Sequence, residues 1–476
     1  MVWPREASPR RNVRARRHPT SRRGKIGGLT VQEPDKVSNA IDDLAHRALA
    51  MHARYRGKIQ TQSKVPVGDL RDFAIWYTPG VAEPCRAIAA DPESAFAYTN
   101  RGNAIAIVSD GSRVLGLGDI GPEAGLPVME GKALLFKLLG GVDATPLCIR
   151  AREAADIVRA VELIEPSFGG INLEDISQPK CFGVLDEARR RVSIPVWHDD
   201  QQGSATVALA GLLAALEVVG KPLDTIRIVL FGVGAANVAT YRLLTAYGLD
   251  PKAIVACDTK GVLHAARSDI ERESAQFADK WRICIESNGD GRRGAAEAAF
   301  RDADVCIAFS RPGPDVIRPE WIRTMARDAI VFACANPTPE IWPDAARGAG
   351  ARIVATGRSD FPNQVNNSLV FPGLFRGVLD VRARTISDRM AIAAAEELAA
   401  CARKEGLSAD QLLPTMTDWT AAARVAAAAG AAAVAEGLAR NPLKRDELER
   451  LALGAIKQSR ASLERLIEAG LIARSP

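Results

Sequence analysis

The sequence lacks the features that mark membrane-spanning and disulfide-rich proteins. No uninterrupted apolar run approaches the roughly 18 to 20 residues that a helix needs to cross a bilayer. The eight cysteines lie between Cys85 and Cys401 without paired spacing, which argues against a disulfide framework or a zinc site and favours reduced thiols. We therefore predict a cytoplasmic protein that has no membrane partner.

Acidic residues are almost absent from the first 25 positions. This arm holds nine Lys or Arg residues and one acid, Glu6, so its net charge is +8, whereas the rest of the chain carries −3. The body of the protein therefore has no excess of basic charge of the kind that nucleic-acid binding requires, and we predict no nucleic-acid partner. The composition favours a disordered basic arm over residues 1–30. A transit peptide and a nucleic-acid-binding tail are the alternatives.

The length and the periodicity predict an α/β protein of more than one domain. A chain of 476 residues exceeds the size at which a single core stops growing. Helical and strand patterns alternate along it, as in parallel sheets with crossover helices. We predict an N-terminal α/β domain, a Rossmann-like doubly wound domain and a helical C-terminal tail, over residues 31–199, 200–440 and 441–476. The principal expected helices are 37–55, 132–139, 204–219 and 237–247, and the principal expected strands are 104–108, 171–176, 226–231, 253–256, 305–308, 329–333 and 352–355.

A glycine-rich turn follows the predicted strand 226–231. It runs Gly232-Val233-Gly234-Ala235-Ala236-Asn237 and lacks the third glycine of the dinucleotide-binding fingerprint. The strand before it, the helix after it and Asp258 at the end of the next strand supply the expected context. Backbone N–H groups at the helix start can hold a pyrophosphate, and Asp258 can accept a hydrogen bond from the ribose 2′-hydroxyl. A tight turn without a ligand is the alternative.

The same turn allows a prediction of the cofactor. The Asp258 carboxylate would repel a 2′-phosphate, which favours NAD over NADP. Lys260, two residues later, could soften that repulsion, so NADP is the second choice. Asn237 puts close packing of helix on strand in doubt, because its side chain is expected to point away from the sheet.

Carboxylates collect at the ends of two other predicted strands. Glu174 and Asp175 lie at the end of one of these strands. Asp199 and Asp200 lie just after the end of the strand that comes next in the chain. The carboxyl ends of neighbouring parallel strands lie on one side of a sheet, about 5 Å apart. Like charges gathered there are tolerable chiefly if a cation neutralises them, and all-oxygen ligands suit Mg²⁺ or Mn²⁺. Loop carboxylates that cap helices are the alternative.

Lys132 and Tyr77 are candidates for proton transfer. Oxidation of a 2-hydroxy acid and loss of carbon dioxide need a base for the hydroxyl proton and an acid that protonates the enolate carbon. Lys132 precedes an apolar run, and burial or a nearby metal would lower its pKa so that it could act as the base. Tyr77 precedes the rigid turn Thr78-Pro79-Gly80. On this chemistry alone neither residue is specific.

Seven segments occur together in an order that is characteristic of a known family. They are IWYTPGVA (75–82), LGLGDIG (115–121), MEGK (129–132), LED (173–175), HDDQQG (198–203), ANPT (335–338) and PNQVNN (362–367). The set resembles the short, bacterial-type malic enzymes over roughly residues 57–400. The resemblance implies oxidative decarboxylation of (S)-malate to pyruvate and carbon dioxide with NAD or NADP, Mg²⁺ or Mn²⁺, in a homodimer or larger oligomer.

The resemblance also implies roles for individual residues. Tyr77 matches the proton donor of the family and Lys132 its proton acceptor, and Asp199 matches an acid that tunes the lysine. The implied metal ligands are Glu174, Asp175 and Asp200. The implied substrate-binding residues are Arg113, Asn336 and Asn366, and the implied cofactor-binding residues are Gly232, Val233, Gly234, Ala235, Ala236, Asp258 and Asn336.

Three departures from the family pattern touch the expected substrate and cofactor sites. Trp76 and Arg311 stand where smaller residues are expected, and Asn237 replaces the third glycine. These changes could alter substrate size or dinucleotide choice, but no acid, base or metal position is lost. The competing interpretations are a related 2-hydroxy-acid dehydrogenase, an oxaloacetate decarboxylase, and a regulatory paralogue that binds dinucleotide without catalysis.

Overall fold

The computed structural model describes residues 34–358 and 360–474. The chain divides into two compact units, residues 1–56 and 57–476. The described part of the first unit is helix α1 (Pro34–Tyr55), which confirms the helix predicted at 37–55 and begins three residues earlier. The basic arm predicted to be disordered, residues 1–30, lies outside the described residues.

The second unit begins with a parallel four-stranded sheet flanked by helices. Its strands are β1 (Ala104–Ser109), β2 (Asp143–Cys148), β3 (Gly170–Leu173) and β4 (Val196–His198), in the spatial order β2-β1-β3-β4. The helices of this region are α2 (Leu70–Trp76), α3 (Ala82–Ala90), α4 (Ala95–Tyr98), α5 (Pro122–Gly140), α6 (Ala154–Ile164) and α7 (Lys180–Arg191). Strand β2 was not predicted, since Pro146 interrupts it and none of its residues is fully buried.

Helix α5 begins at Pro122, and the predicted start at Lys132 was wrong. Gly121 turns the chain with a φ of 80°, and Pro122 opens the helix where its missing N–H is not needed. Gly125 and Gly131, residues that disfavour a helix, lie inside it. Lys132 therefore projects from the middle of a rigid helix.

A second sheet of six strands follows and has the doubly wound order that we predicted. Its strands are β5 (Ile228–Phe231), β6 (Ile254–Asp258), β7 (Gly261–Val262), β8 (Val305–Ala308), β9 (Ile330–Ala333) and β10 (Ile353–Thr356), in the order β10-β9-β8-β5-β6-β7. All pairs are parallel except β6 with β7. The chain direction across the sheet reverses between β5 and β8, and ligands of such sheets bind beside this point. The helices are α8 (Ser204–Val219), α9 (Ala235–Tyr247), α10 (Ser268–Arg272), α11 (Ala278–Glu286), α12 (Glu297–Phe300), α13 (Pro319–Ile322) and α14 (Pro343–Gly348).

Four helices follow the second sheet, and three of them pack against α5. They are α15 (Phe371–Asp380), α16 (Asp388–Glu405), α17 (Trp419–Ala435) and α18 (Arg445–Glu468). The alanine-rich α17 is a packed helix, and a Cβ at Gly377 of α15 would stand 2.0 Å from the carbonyl oxygen of Ala426. Phe136 of α5 packs on Phe371 and Phe375 of α15, with ring centroids 4.6 and 5.3 Å away. These contacts fix the helix that carries Lys132.

One stretch of the described chain is long and apolar enough to cross a membrane by length and composition. It runs from Asp199 to Val219, with a mean hydropathy of 1.5, and 67% of it is buried inside the protein. The run lengths in the sequence did not indicate it, because Glu217 and polar residues interrupt it. The structure packs most of this stretch as α8, a core helix between α9 and α16.

Candidate active site

A cleft of about 840 Å³ lies where strands of both sheets end. Segments that follow β3 and β4 line one side of it, and segments that follow β5, β6, β8, β9 and β10 line the other. All residues predicted to bind metal, substrate or cofactor meet there, together with the predicted base Lys132. Those that line the cleft are Arg113, Lys132, Glu174, Asp175, Asp200, Gly232, Val233, Gly234, Ala235, Ala236, Asp258, Asn336 and Asn366.

Lys132 is held between two carboxylates. Its Nζ pairs with Asp199 Oδ2 and lies 2.8 Å from Glu174 Oε1, and all three side chains are almost fully buried. The ammonium also lies 4.3 Å from the centre of the Phe371 ring. Asp199 does not line the cleft, but it accepts a second hydrogen bond, 3.0 Å long, from Trp197 Nε1, which fixes its orientation.

The pKa of Lys132 is shifted in the direction opposite to the one that we predicted. Burial lowers the pKa of this lysine, but the charges and hydrogen bonds of Asp199 and Glu174 outweigh burial and raise it above its usual value. The prediction of a lowered pKa was therefore wrong for the protein by itself. The pKa is raised because the two carboxylates stabilise the protonated, charged form of the lysine.

Acidic side chains outnumber basic ones at the end of the cleft that lies beside β3 and β4. Burial and the neighbouring Asp200 raise the pKa of Asp175 to about 8, and burial together with the nearby acids raises that of Glu174. Asp175 Oδ2 is buried and has no hydrogen-bond partner among the residues that the structure describes. An orphaned carboxylate oxygen beside two other acids is the environment that a hard cation relieves, so the residues present fit Mg²⁺ or Mn²⁺.

The acids are not arranged as a complete set of metal ligands. Within the part of the chain that the structure describes, no group of three or more His, Cys, Asp or Glu side chains is placed so that it could hold a metal ion. Glu174 Oε1 faces Lys132, and Asp200 Oδ2 accepts a hydrogen bond of 2.8 Å from the backbone N–H of Asp175. Cation binding through these two oxygen atoms would replace one or both of these partners with the ion.

The glycine turn fits a dinucleotide. Gly232 has a φ of +86°, and a Cβ there would lie 2.9 Å from the carbonyl oxygen of Phe309, so a side chain is excluded. Gly234 precedes α9, and no side chain caps this helix start. The first N–H groups of α9 are thus available to a pyrophosphate.

Asn237 replaces the third glycine in a way that the sequence did not predict. Its side chain is buried and points toward the sheet, where Nδ2 donates to the carbonyl oxygens of Phe231, Gly232 and Ile307 at 3.1, 2.8 and 3.2 Å. The expectation that it points away was wrong. The amide ties α9 to the ends of β5 and β8, and so maintains the close packing that the third glycine would otherwise allow.

Asp258 lies at the end of β6, as predicted, but it is not a free acceptor. Arg267 donates to it through Nη1 and Nη2 at 3.1 and 3.0 Å, and Lys280 Nζ lies 2.6 Å from Oδ2. Burial raises the pKa of Asp258, but Arg267 and Lys280 outweigh burial and hold it below its usual value. Lys260 binds Asp269 instead, at 3.0 Å.

The predicted substrate-binding residues lie around the same cleft. The backbone N–H of Arg113 donates to Asp175 O at 3.0 Å, which places its exposed side chain next to the acids. Asn366 donates to Gly357 O at 2.8 Å and accepts from the Ser368 N–H at 2.9 Å, so it also shapes its own loop. The unusual Arg311 lines the cleft.

Tyr77 does not line the cleft. It ends the short helix α2, is 69% exposed, and follows a helix that has no buried residue. The sequence thus predicted two proton-transfer residues for one site, and the structure brings only Lys132 to it. The neighbouring Trp76, which departs from the family pattern, is also exposed.

Glu340 supports the site without lining the cleft, and the sequence did not reveal it. It is fully buried, and its carboxylate accepts hydrogen bonds from Ser310 N (2.7 Å), Ser310 Oγ (3.0 Å) and Ala335 N (3.0 Å). It therefore joins the loops after β8 and β9, which carry Arg311 and Asn336. Its position four residues after Asn336 was the only signal in the sequence.

Gly203 is a second residue that the sequence did not single out. A Cβ at this position would stand 1.9 Å from Asp199 Oδ1. The last residue of the HDDQQG segment must therefore be glycine if Asp199 is to reach both Trp197 and Lys132.

Comparison with family models finds two matches. Residues 56–155 match the model described as "Malic enzyme, N-terminal domain", and residues 201–435 match "Malic enzyme, NAD binding domain".

Individual relatives cover most of the chain. The "Bifunctional malic/malolactic enzyme" of Bacillus subtilis is 46% identical over 85% of this chain and 97% of its own length. The "NADP-dependent malic enzyme" of Halomonas elongata is 44% identical over 83% of this chain and 94% of its own length. The crystal structure of Entamoeba histolytica malic enzyme superposes with a TM-score of 0.91 at 44% identity, and covers 94% of this chain and 93% of that one.

Proposed function

The chain belongs to the malic enzyme family, and on this premise we propose that it oxidises and decarboxylates (S)-malate to pyruvate and carbon dioxide, with reduction of NAD or NADP. The observation that carries the proposal is the buried Lys132, held by Asp199 and Glu174 in the same cleft as a glycine turn suited to a dinucleotide. A base, an acid cluster and a dinucleotide site are the parts that this reaction requires.

Lys132 is the proposed base. As hydride leaves C2 of malate for the nicotinamide, the C2 hydroxyl must lose its proton, and Lys132 can accept it only after releasing its own. Asp199, in direct contact with Nζ, is positioned to take that earlier proton. If Glu174 bound the metal, Lys132 would lose one of the two carboxylates that raise its pKa. Loss of this contact would favour the neutral amine that the reaction needs.

Glu174, Asp175 and Asp200 are the proposed ligands of Mg²⁺ or Mn²⁺. The bound cation would polarise the C2 oxygen and stabilise the enolate left by loss of carbon dioxide. Arg113, Asn336 and Asn366 are the proposed substrate contacts, since a guanidinium can pair with a carboxylate in two hydrogen bonds and the amides orient neutral groups.

Tyr77 is the proposed acid that returns a proton to C3, and we propose that it reaches the cleft of a second copy of the chain. Tyr77 is not among the cleft residues of its own chain, and the large apolar side chains around it are exposed: Leu70, Phe73, Ile75, Trp76 and Val81. An apolar surface of this kind favours association. A homodimer or larger oligomer would bury these side chains and complete each active site.

Steady-state assays test the reaction. Malate is supplied with NAD or NADP, with and without Mn²⁺, and pyruvate, carbon dioxide and reduced dinucleotide are measured. We expect equal amounts of the three products and no turnover after metal removal. Tartrate and oxaloacetate are run in parallel to detect the competing activities. Lactate is measured too, because the name of the Bacillus subtilis relative includes a malolactic activity. Turnover of another acid without malate oxidation would refute the proposal.

Mixing two inactive variants tests the placement of Tyr77. Tyr77→Phe and Lys132→Met should each lose activity by about 10²- to 10⁴-fold, the usual contribution of a general acid or base. If Tyr77 acts in the partner's cleft, co-expressed chains form hybrid dimers with one intact site, and activity returns to a substantial fraction of wild type. Light scattering establishes the oligomer. Failure to recover activity in proven hybrids would show that Tyr77 serves its own chain.

We also propose the predicted domain limits, 31–199, 200–440 and 441–476, and a cytoplasmic location. The proposed limit between the first two domains is supported by the positions of the two sheets, because the first sheet ends at His198 and the second begins at Ile228. Limited proteolysis and cell fractionation would test these two proposals.

A further inference from the structure

Basic side chains outnumber acids at the end of the cleft that lies beside Asp258. The network around this carboxylate contains Asp258 and Asp269 and three cations, Lys260, Arg267 and Lys280. Arg267 binds both acids, at 3.0 Å from Asp258 Oδ2 and 2.8 Å from Asp269 Oδ1. The local charge is therefore +1, although an acid ends β6.

The acceptor positions of Asp258 are already occupied. Oδ1 accepts from Arg267 Nη1 at 3.1 Å and from the backbone N–H of Lys260 at 2.9 Å, and Oδ2 accepts from Arg267 Nη2 at 3.0 Å and faces Lys280 Nζ at 2.6 Å. A carboxylate has about four acceptor positions in total. A ribose hydroxyl can bind Asp258 only if one of these donors leaves.

Lys280 is the donor that can leave. Arg267 is fixed by five hydrogen bonds to Asp258, Asp269 and the carbonyl oxygen of Val262. Lys280 projects from α11 and lines the cleft, and among the described residues its only ion-pair partner is Asp258. Lys260 is 69% exposed, lies outside the cleft lining and pairs with Asp269.

We propose that Lys280 binds the 2′-phosphate of NADP, so that the cleft accepts the phosphorylated dinucleotide in spite of Asp258. This rests on the proposed function for the identity of the ligand as a nicotinamide dinucleotide. A phosphate dianion beside Asp258 alone would be repelled, whereas here it enters a network with a net charge of +1. Lys280 lies at the acid that ends β6, where the ribose of a bound dinucleotide is expected, and can turn from the carboxylate to the phosphate as a flexible point charge.

The proposal reverses the expected dinucleotide preference. NAD brings only a hydroxyl, which must compete with Lys280 for Asp258, while NADP offers Lys280 a stronger partner. It also transfers to Lys280 the role that the sequence suggested for Lys260.

Equilibrium binding of two adenosine nucleotides to the full-length protein tests the inference. The probes are 2′,5′-ADP and 5′-AMP, which differ only in the 2′-phosphate, measured by calorimetry without turnover. Wild type should bind 2′,5′-ADP at least about tenfold more tightly. Lys280→Gln should weaken 2′,5′-ADP by about 10- to 100-fold, the usual range for loss of a hydrogen bond to a charged group, and change 5′-AMP less than about threefold.

Two matched variants complete the design. Lys260→Gln removes an equal charge from the same network and should change the binding of either probe less than about threefold. Asp258→Asn retains Lys280 and removes its partner, so it should tighten 2′,5′-ADP. The inference is overturned if wild type binds both probes equally, if Lys280→Gln weakens both alike, or if Lys260→Gln has the same effect as Lys280→Gln. Loss of malate turnover with both dinucleotides would instead refute the proposed function and leave these binding results standing.

Discussion

Carboxylates at strand ends appear twice in this cleft, with opposite electrostatic surroundings. Beside β3 and β4, the acids Glu174, Asp175, Asp199 and Asp200 outnumber the cations Lys132 and Arg113, and burial raises the pKa of Glu174 and Asp175. Beside β6, Asp258 is surrounded by Arg267 and Lys280, which hold its pKa low despite its burial. The same residue type at the same place in a parallel sheet thus prepares one end of the cleft for a cation and the other for an anion.

The contrast shows that a strand-end acid cannot be interpreted without its partners. An acid with an orphaned oxygen, such as Asp175, still has an interaction to make. The acceptor positions of Asp258 are all occupied, so this acid holds its basic partners in place. Lys280 is then the side chain that contacts the ligand. Three changes would test this difference, beginning with the largest expected effect.

Replacement of Lys132 removes a buried positive charge from the acid-rich end of the cleft. Lys132→Met should reduce turnover by about 10²- to 10⁴-fold, because the base is lost, while dinucleotide affinity stays near wild type. Stopped-flow and steady-state rates, with equilibrium nucleotide binding, measure the two effects. Lys137→Met is the matched control, since Lys137 lies on the same helix but is half-exposed and pairs with Asp143. Normal turnover in Lys132→Met would refute its role as base.

Removal of one acid at each end separates the cation site from the anion site. Asp200→Asn should abolish the rise in melting temperature that Mn²⁺ gives the wild-type protein, together with metal-dependent activity, because the remaining acids hold a hard cation only weakly. Asp258→Asn should retain the full Mn²⁺ response. If both variants lose it equally, the two ends are not distinct, and the assignment of Asp200 as a ligand fails.

Glu340 offers an intermediate case, since three neutral donors surround its buried carboxylate. Burial raises its pKa from 4.5 to about 6. Because the pKa of Glu340 is raised in the folded state, its protonated carboxyl group contributes its full stabilisation below about pH 4.5. This stabilisation is lost as the pH rises through about 6. The unfolding free energy of wild type minus that of Glu340→Gln should therefore fall by about 2 kcal/mol in total, from about one pH unit below 4.5 to about one pH unit above 6. Urea unfolding of both proteins across this range measures it, and a difference independent of pH would contradict the assignment.

Much of the fold could be predicted from the sequence, because its patterns are local. The helix expected at 204–219 and the strand expected at 305–308 agree with α8 and β8 to the residue. Buried parallel strands are continuous apolar runs, and these are legible without tertiary information. Strand β2 and the first turns of α5 were missed because Pro146 and Gly125 oppose the states that packing imposes on them.

The candidate site could be predicted as a set of residues but not as a set of interactions. Lys132, Glu174 and Asp175 were found from their segments, and the structure places them in one cleft. The raised pKa of Lys132 depends on Asp199, 67 residues away, and no local pattern records that contact. The inward direction of Asn237 likewise depends on carbonyl groups at the ends of β5 and β8.

The sequence by itself determined the family, the doubly wound fold and most members of the candidate site, since these follow from periodicity and from motifs that are contiguous in the chain. Only the tertiary structure decided that Lys280 and not Lys260 faces the cleft beside Asp258, and that Tyr77 lies outside the cleft lined by Lys132. The physical reason is that charge balance and exposure are properties of neighbours in space. Residues far apart in the chain supply them, and folding alone brings those residues together.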